Sequence, residues 1–130
     1  DFVQADVIHA GGILELRRIA DMAEAHFIPC CPHNPCGPVA NAATLHVAAL
    51  SNNVMRLETM ATDVSWRKEV AKEDTKFENG ALTIPDTPGL GVDIDVEALA
   101  KYPFVARDLR HYNGTLTDIR PKDSEFIFKK

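Results

Sequence analysis

Three titratable residues are the candidates for chemistry in this sequence. Asp6, His33 and Glu58 follow one another at intervals of 27 and 25 residues. Each stands toward the C-terminal side of a short apolar run that reads as a strand. The chemistry such a trio supports is proton transfer. A carboxylate bonded to one imidazole N–H fixes the tautomer and raises the basicity of the other nitrogen. Once protonated, the same ring is a general acid. A third carboxyl group nearby can bind substrate or, holding a proton, bond a developing oxyanion. Each residue alone has a commoner structural use. A His in a Pro-rich loop is usually a turn residue, an Asp at a strand end a cap, and a Glu in a strand solvated. The case rests on their joint placement on three successive strand ends.

The elements that would position them alternate. Residues 2–8 read as a buried strand, broken by Gly11-Gly12. Residues 13–27 read as an amphipathic helix, with Ile13, Leu16, Ile19, Ala20, Ala23 and Phe27 on one face. Arg17, Arg18, Asp21 and Glu24 fall largely on the other. Residues 28–31 form a second strand, and 32–38 a loop rich in breakers. A second helix over residues 38–50 begins at Pro38, which suits a first helical position because its missing N–H needs no partner there. This helix is almost wholly apolar and small, so it should be buried on most faces. After Ser51-Asn52-Asn53, residues 54–58 form a third strand. Strand, helix, strand, helix, strand is the pattern of parallel α/β structure. Active sites in parallel barrels lie at the C-terminal strand ends, where Asp6, His33 and Glu58 fall.

The pattern then changes. Residues 61–76 are polar and mixed, with the single Trp at position 66. Residues 77–82 around Asn79-Gly80 suggest a small hairpin. Residues 85–91 hold two Pro and two Gly and read as a loop. Residues 95–101 suggest a short helix capped by Asp95. Residues 102–130 read as an extended tail with an Asn113-Gly114 turn. Three strands do not close a sheet, and a complete barrel takes roughly 250 residues. The chain is therefore expected to be the end of a larger protein. It also begins without Met, so it need not start where translation starts.

Other residues carry weaker signals. Cys30, Cys31 and Cys36 lie near His33, but the spacing lacks the paired CxxC of a zinc site, so buried reduced thiols are the better reading. His9 is read as structural, and His26 and His46 as helix residues. Gly11-Gly12 lacks the spacing of a dinucleotide fingerprint. The N-terminus of the second helix offers N–H groups that would suit an anion. Trp66 suits either a core or a ligand platform.

Composition narrows the classes. The chain has 130 residues, 45% hydrophobic and 25% charged, which is ordinary for a globular protein. Lys and Arg number 14 against 19 acidic residues, a net charge of −5 with no basic patch, so nucleic acid is not an expected partner. No apolar run reaches the roughly 18 residues of a membrane span, and no secretory signal opens the chain. Three Cys, an odd number, suggest reduced thiols and a cytoplasmic location.

Three motifs add a resemblance. Gln4-Ala5-Asp6-Val7-Ile8-His9-Ala10-Gly11-Gly12-Ile13, Pro32-His33-Asn34-Pro35 and Gly37-Pro38-Val39-Ala40-Asn41-Ala42-Ala43 resemble the enolase superfamily. The subgroup is that of mandelate racemase, and within it the acid-sugar dehydratases similar to galactonate dehydratase. Pro88-Gly89-Leu90-Gly91-Val92 resembles the same family's tail.

The resemblance implies that residues 1–60 hold the last three strands and two helices of a modified (β/α)8 barrel. Residues 61–130 would then be a C-terminal tail that completes the barrel and packs toward a capping domain. It implies a hydro-lyase that uses Mg²⁺ to turn an aldonate or aldarate into a 2-keto-3-deoxy acid through an enediolate. His33 would be the acid–base residue that protonates the leaving hydroxyl. Asp6 would hold and tune it, and Glu58 would bond the enediolate side. The Mg²⁺ ligands and the second acid–base residue would lie upstream, so the segment alone is expected to be inactive. Homo-oligomerisation is implied on the same ground. A racemase or cycloisomerase of the same subgroup, or a non-catalytic fragment, are the alternatives.

Overall fold

The computed structural model describes residues 1–60, 65–73 and 75–106. Its first part is α/β. Three extended segments lie side by side in parallel, through the pairs Val3 with Cys30, Asp6 with His33, and Cys30 with Val54. The segment at Cys30 is the middle one. Slanted backbone bonds join it to both neighbours, as parallel pairing requires. Cys31 N–H donates to Val3 O at 2.9 Å, and His33 N–H to Ala5 O at 3.1 Å. On the other side, Met55 N–H donates to Cys30 O at 2.9 Å, and Glu58 N–H to Pro32 O at 3.2 Å.

The first segment is shorter than the sequence suggested. It ends at Asp6, and Val7–Ala10 forms a helical turn, α1. The apolar pair Val7-Ile8 reads as strand, but Asp6 decides otherwise. Its Oδ1 accepts the Ile8 N–H at 2.7 Å and the His9 N–H at 3.3 Å, capping the turn. Gly11, at φ 104°, ends it.

Helix α2 spans Ile13–Ala25 and buries Leu16, Ala20 and Ala23. Arg17 pairs with Asp21 at 2.7 Å on the exposed side and also bonds the Leu50 carbonyl. Two residues expected on the buried face are not there. Ile13 is exposed, and Phe27 lies beyond the helix, 97% exposed. Phe27 stands at φ 57°, in the left-handed position that closes a Schellman motif. Its N–H bonds Glu24 O at 2.9 Å, and the Ile28 N–H bonds Ala23 O at 2.9 Å. A Phe there continues the helical periodicity in sequence while the backbone has already turned away.

Helix α3, Pro38–Leu50, buries Ala40, Asn41, Ala42, Ala43, Thr44, Leu45 and Val47, as its composition required. Val7, Leu16, Ala40, Ala43 and Val47 form one core cluster. Ala20, Ala23 and Cys30 form a second, with Val3 and Val54 against it. The core therefore lies between the parallel segments and the two long helices, where small side chains permit close approach.

The second part is built from short pieces. Helix α4 spans Arg67–Val70 and β1 spans Ala71–Glu73. Strands β2, Phe77–Glu78, and β3, Ala81–Leu82, form the expected hairpin. Asn79 at φ 52° and Gly80 at φ 78° supply the turn. Strand β4, Val92–Ile94, pairs antiparallel with β1, Ala71 opposite Ile94. Sequence patterning marked neither strand, because each is three residues long. Helix α5, Val96–Leu99, starts where Asp95 caps it, accepting the Ala98 N–H at 2.8 Å. Trp66 stacks on Tyr102 with ring centroids 4.5 Å apart. Arg67, buried, makes a two-point bond with Glu73, at 2.8 and 3.0 Å. The Asn113-Gly114 turn lies outside the described residues.

Candidate active site

Asp6 and His33 meet because their backbones pair at the ends of two adjacent parallel segments. His33 Nδ1 lies 2.8 Å from Asp6 Oδ2. The carboxylate is an acceptor, so Nδ1 carries the proton and Nε2 is the nitrogen left for chemistry. The His33 side chain is 40% exposed and that of Asp6 only 5%, so the ring faces outward from a buried anchor.

Four donors converge on Asp6. Oδ1 takes the two α1 amides, and Oδ2 takes His33 and the Cys36 thiol, whose sulfur is 3.8 Å away. Burial pushes the Asp6 carboxyl up. The bonds from His33, Ile8 and His9, with the charge of His9, outweigh burial and hold it below the ordinary carboxylate range. Asp6 is thus a fixed anion that orients the imidazole. Burial and the neighbouring Asp6 charge push the Cys36 thiol up, so it stays a neutral donor.

Glu58 ends the third segment at the same side, but not in the pair. It is exposed, and its Oε2 accepts the Gln4 Nε2 amide at 3.2 Å rather than a bond from His33. The structure therefore brings two of the three candidates into contact and leaves the third one segment away.

A buried amide network lies beneath these residues, and sequence reasoning missed it. Asn34 Nδ2 donates to Asn41 Oδ1 at 2.9 Å, and Thr59 Oγ1 donates to the same oxygen at 3.0 Å. Asn34 and Asn41 are 1% and 2% exposed. The signal was Asn41 itself. An amide amid Val39, Ala40, Ala42 and Ala43 must be buried with them, and a buried amide needs a partner. Gln4 carried no comparable signal.

The remaining candidates have structural surroundings. Cys30, Cys31 and Cys36 are free thiols. His46 Nδ1 lies 2.8 Å from Ala42 O within α3, and His26 closes α2. No side chain caps the N-terminus of α3. Among the described residues, no group of three or more His, Cys, Asp or Glu is placed to hold a metal ion. Asp6, His33 and Glu58 therefore do not fit a Mg²⁺ site by themselves. No helix among the described residues is long and apolar enough to cross a membrane.

Parallel segments joined through helices, with a carboxylate–imidazole pair at their C-terminal ends, fit the class of parallel α/β barrels, whose sites lie at the strand ends. The chain belongs to the enolase C-terminal domain-like family, whose model matches residues 1–99. Within it, the chain is similar to the D-galactonate dehydratase of Ralstonia nicotianae, 43% identical over 127 residues, 89% of this chain and 33% of that protein. The chain thus spans about a third of that relative's length. A solved enolase from Pantoea ananatis with bound D-gluconate and Mg superposes with a TM-score of 0.74 at 25% identity, covering 80% of this chain and 25% of that one. The 3,6-anhydro-D-galactonate cycloisomerase of Zobellia galactanivorans superposes at 0.62 with 35% identity, covering 71% and 26%. The fold is accordingly a piece of the TIM-barrel domain of the enolase superfamily.

Proposed function

We propose that residues 1–60 carry part of the active site of an acid-sugar dehydratase. The substrate is an aldonate or aldarate and the product a 2-keto-3-deoxy acid. The carrying observation is the Asp6–His33 pair at 2.8 Å. His33, held at Nδ1, delivers a proton from Nε2 to the departing 3-hydroxyl, which leaves as water. The substrate's C2 proton is lost to a base outside this pair, and the resulting enol becomes the ketone. Asp6 stabilises the imidazolium and fixes its direction. Glu58, oriented by Gln4, bonds the enediolate side. Mg²⁺ belongs to this reading only as an ion that residues upstream of this segment would hold, where it would bind the substrate carboxylate.

In this reading residues 61–130 form the tail that completes the barrel toward a capping domain, in a homo-oligomer. The segment alone would be inactive. Three free cysteines support a reducing compartment, the cytoplasm.

A second reading, a cycloisomerase or racemase, is favoured by the likeness to the Zobellia galactanivorans enzyme. Both share loss of the C2 proton and differ in the fate of the resulting enediolate. Proton NMR of the full-length protein in D₂O, with Mg²⁺ and a panel of aldonic and aldaric acids, separates them. New 2-keto-3-deoxy signals are expected. Exchange at C2 without dehydration would replace the dehydratase reading with the second one.

A further inference from the structure

We infer that Asn41 is a positioning residue that sets His33 and Glu58 relative to each other. The inference rests on the reading of those two residues as working groups. His33 and Glu58 stand near the last backbone ties between their segments and the neighbouring ones. His33 N–H bonds Ala5 O at 3.1 Å, and Glu58 N–H bonds Pro32 O at 3.2 Å. The next residue after each turns to the same atom. Asn34, after His33, and Thr59, after Glu58, both donate to Asn41 Oδ1, at 2.9 and 3.0 Å.

That atom is well anchored. Asn41 lies one turn into the 13-residue helix α3, and its own N–H bonds Gly37 O at 3.0 Å. The helix is buried along most of its length, so it is a rigid support. Packing alone would not select an amide at this position, because an apolar side chain avoids the desolvation cost. Asn34 Oδ1 is buried and has no partner among the described residues. Its amide Nδ2 bonds Asn41, so this bond ties the chain just after His33 to α3. A sub-ångström shift there moves the imidazole against the carboxyl of Glu58, and such misplacement is costly in a proton-transfer site.

The test uses Thr59→Val, Thr59→Ser and Asn41→Leu in the full-length protein. Thr59→Val keeps the shape and removes one arm, so folding is preserved if Asn41→Leu fails to fold. Amide hydrogen exchange reads the result without any substrate. In Thr59→Val, exchange at Glu58 should quicken about tenfold, the loss of one ordinary hydrogen bond, while His33 keeps its rate, and in Asn41→Leu exchange at both should quicken. Leu45 and Val47 in α3 should keep their rates, and Thr59→Ser should restore the wild-type pattern. Turnover should fall about tenfold in kcat at unchanged KM. Unchanged exchange at Glu58 in Thr59→Val, or equal quickening throughout α3, would overturn the inference. A wild-type protein inert toward every sugar acid would count against the dehydratase reading alone, and exchange would still decide the role of Asn41.

Discussion

Residues 1–60 and residues 65–106 reach order by different means. The first region pairs segments about 25 residues apart in sequence and covers them with two helices of 13 residues each. Its core is spread over many small side chains. The second region has no helix longer than four residues among those described, and its strands are two or three residues long. Its order rests on a small cluster of Val70, Ala71 and Ala98 with Trp66, Val92, Ile94 and Tyr102 packed against it, on the Trp66–Tyr102 stack and on the Arg67–Glu73 pair. The difference separates two tasks. Parallel segments bring residues distant in sequence to one end, where proton chemistry can be assembled. The second region pairs residues just as distant, Ala71 with Ile94, but antiparallel and through short elements, so no row of strand ends gathers at one side.

The second region is where this distinction is most open to challenge. Glu73→Leu removes the two-point bond to the buried Arg67 guanidinium, which keeps its bond to the Met60 carbonyl, and should cost about 2–3 kcal/mol, the scale of hydrogen bonds to a charged group. Hydrogen exchange should show β1 and β4 losing protection while α2 and α3 keep theirs. Equal loss in both regions would mean one cooperative unit and would erase the distinction.

In the first region, Asp6→Asn removes the charge on which four donors converge. About 2 kcal/mol of stability at pH 7 should be lost, the scale of hydrogen bonds to a charged group. The pH dependence gives the sign. Asp6 titrates below the ordinary carboxylate value, so its contribution is full above that value and fades as pH falls through its own lower one. Urea melts between pH 7 and pH 2 should show this acid-side loss in the wild type and a smaller one in Asp6→Asn.

Gly91→Ala probes how far the second region depends on single positions. Gly91 stands at φ 68°, and a Cβ there would lie 2.6 Å from Pro85 Cβ. Thermal melting should report a loss of about 1–2 kcal/mol. Phe27→Gly is the smallest effect and has the opposite sign. Relief of the left-handed conformation, less the entropy Gly adds to the unfolded chain, should stabilise by about 0.5–1 kcal/mol. A destabilised Phe27→Gly variant would mean that the exposed ring contributes packing.

Much of the first region was legible in the sequence, because helical periodicity and successive apolar runs have one simple solution. The burial of α3 followed from its composition. Two side chains overrode pattern. Asp6 drew Val7 and Ile8 into a capped turn, and Phe27 took a position that sequence logic reserves for Gly. The Asp6–His33 contact was legible from placement on adjacent strand ends. The partner of Glu58 was not, since nothing in the spacing distinguishes Gln4 from any exposed amide. The pairing of β1 with β4 was hidden for the same kind of reason. A three-residue strand carries no period to detect, and its partner lies across a loop.

The most direct test of the acid–base account is the rate of dehydration by His33→Asn in the full-length protein, followed by proton NMR. Asparagine keeps a polar side chain of similar reach but cannot deliver the imidazole proton. The rate should fall by about 10³-fold, the scale of general acid catalysis, with the melting temperature little changed. Dehydration at the wild-type rate in His33→Asn would contradict the account.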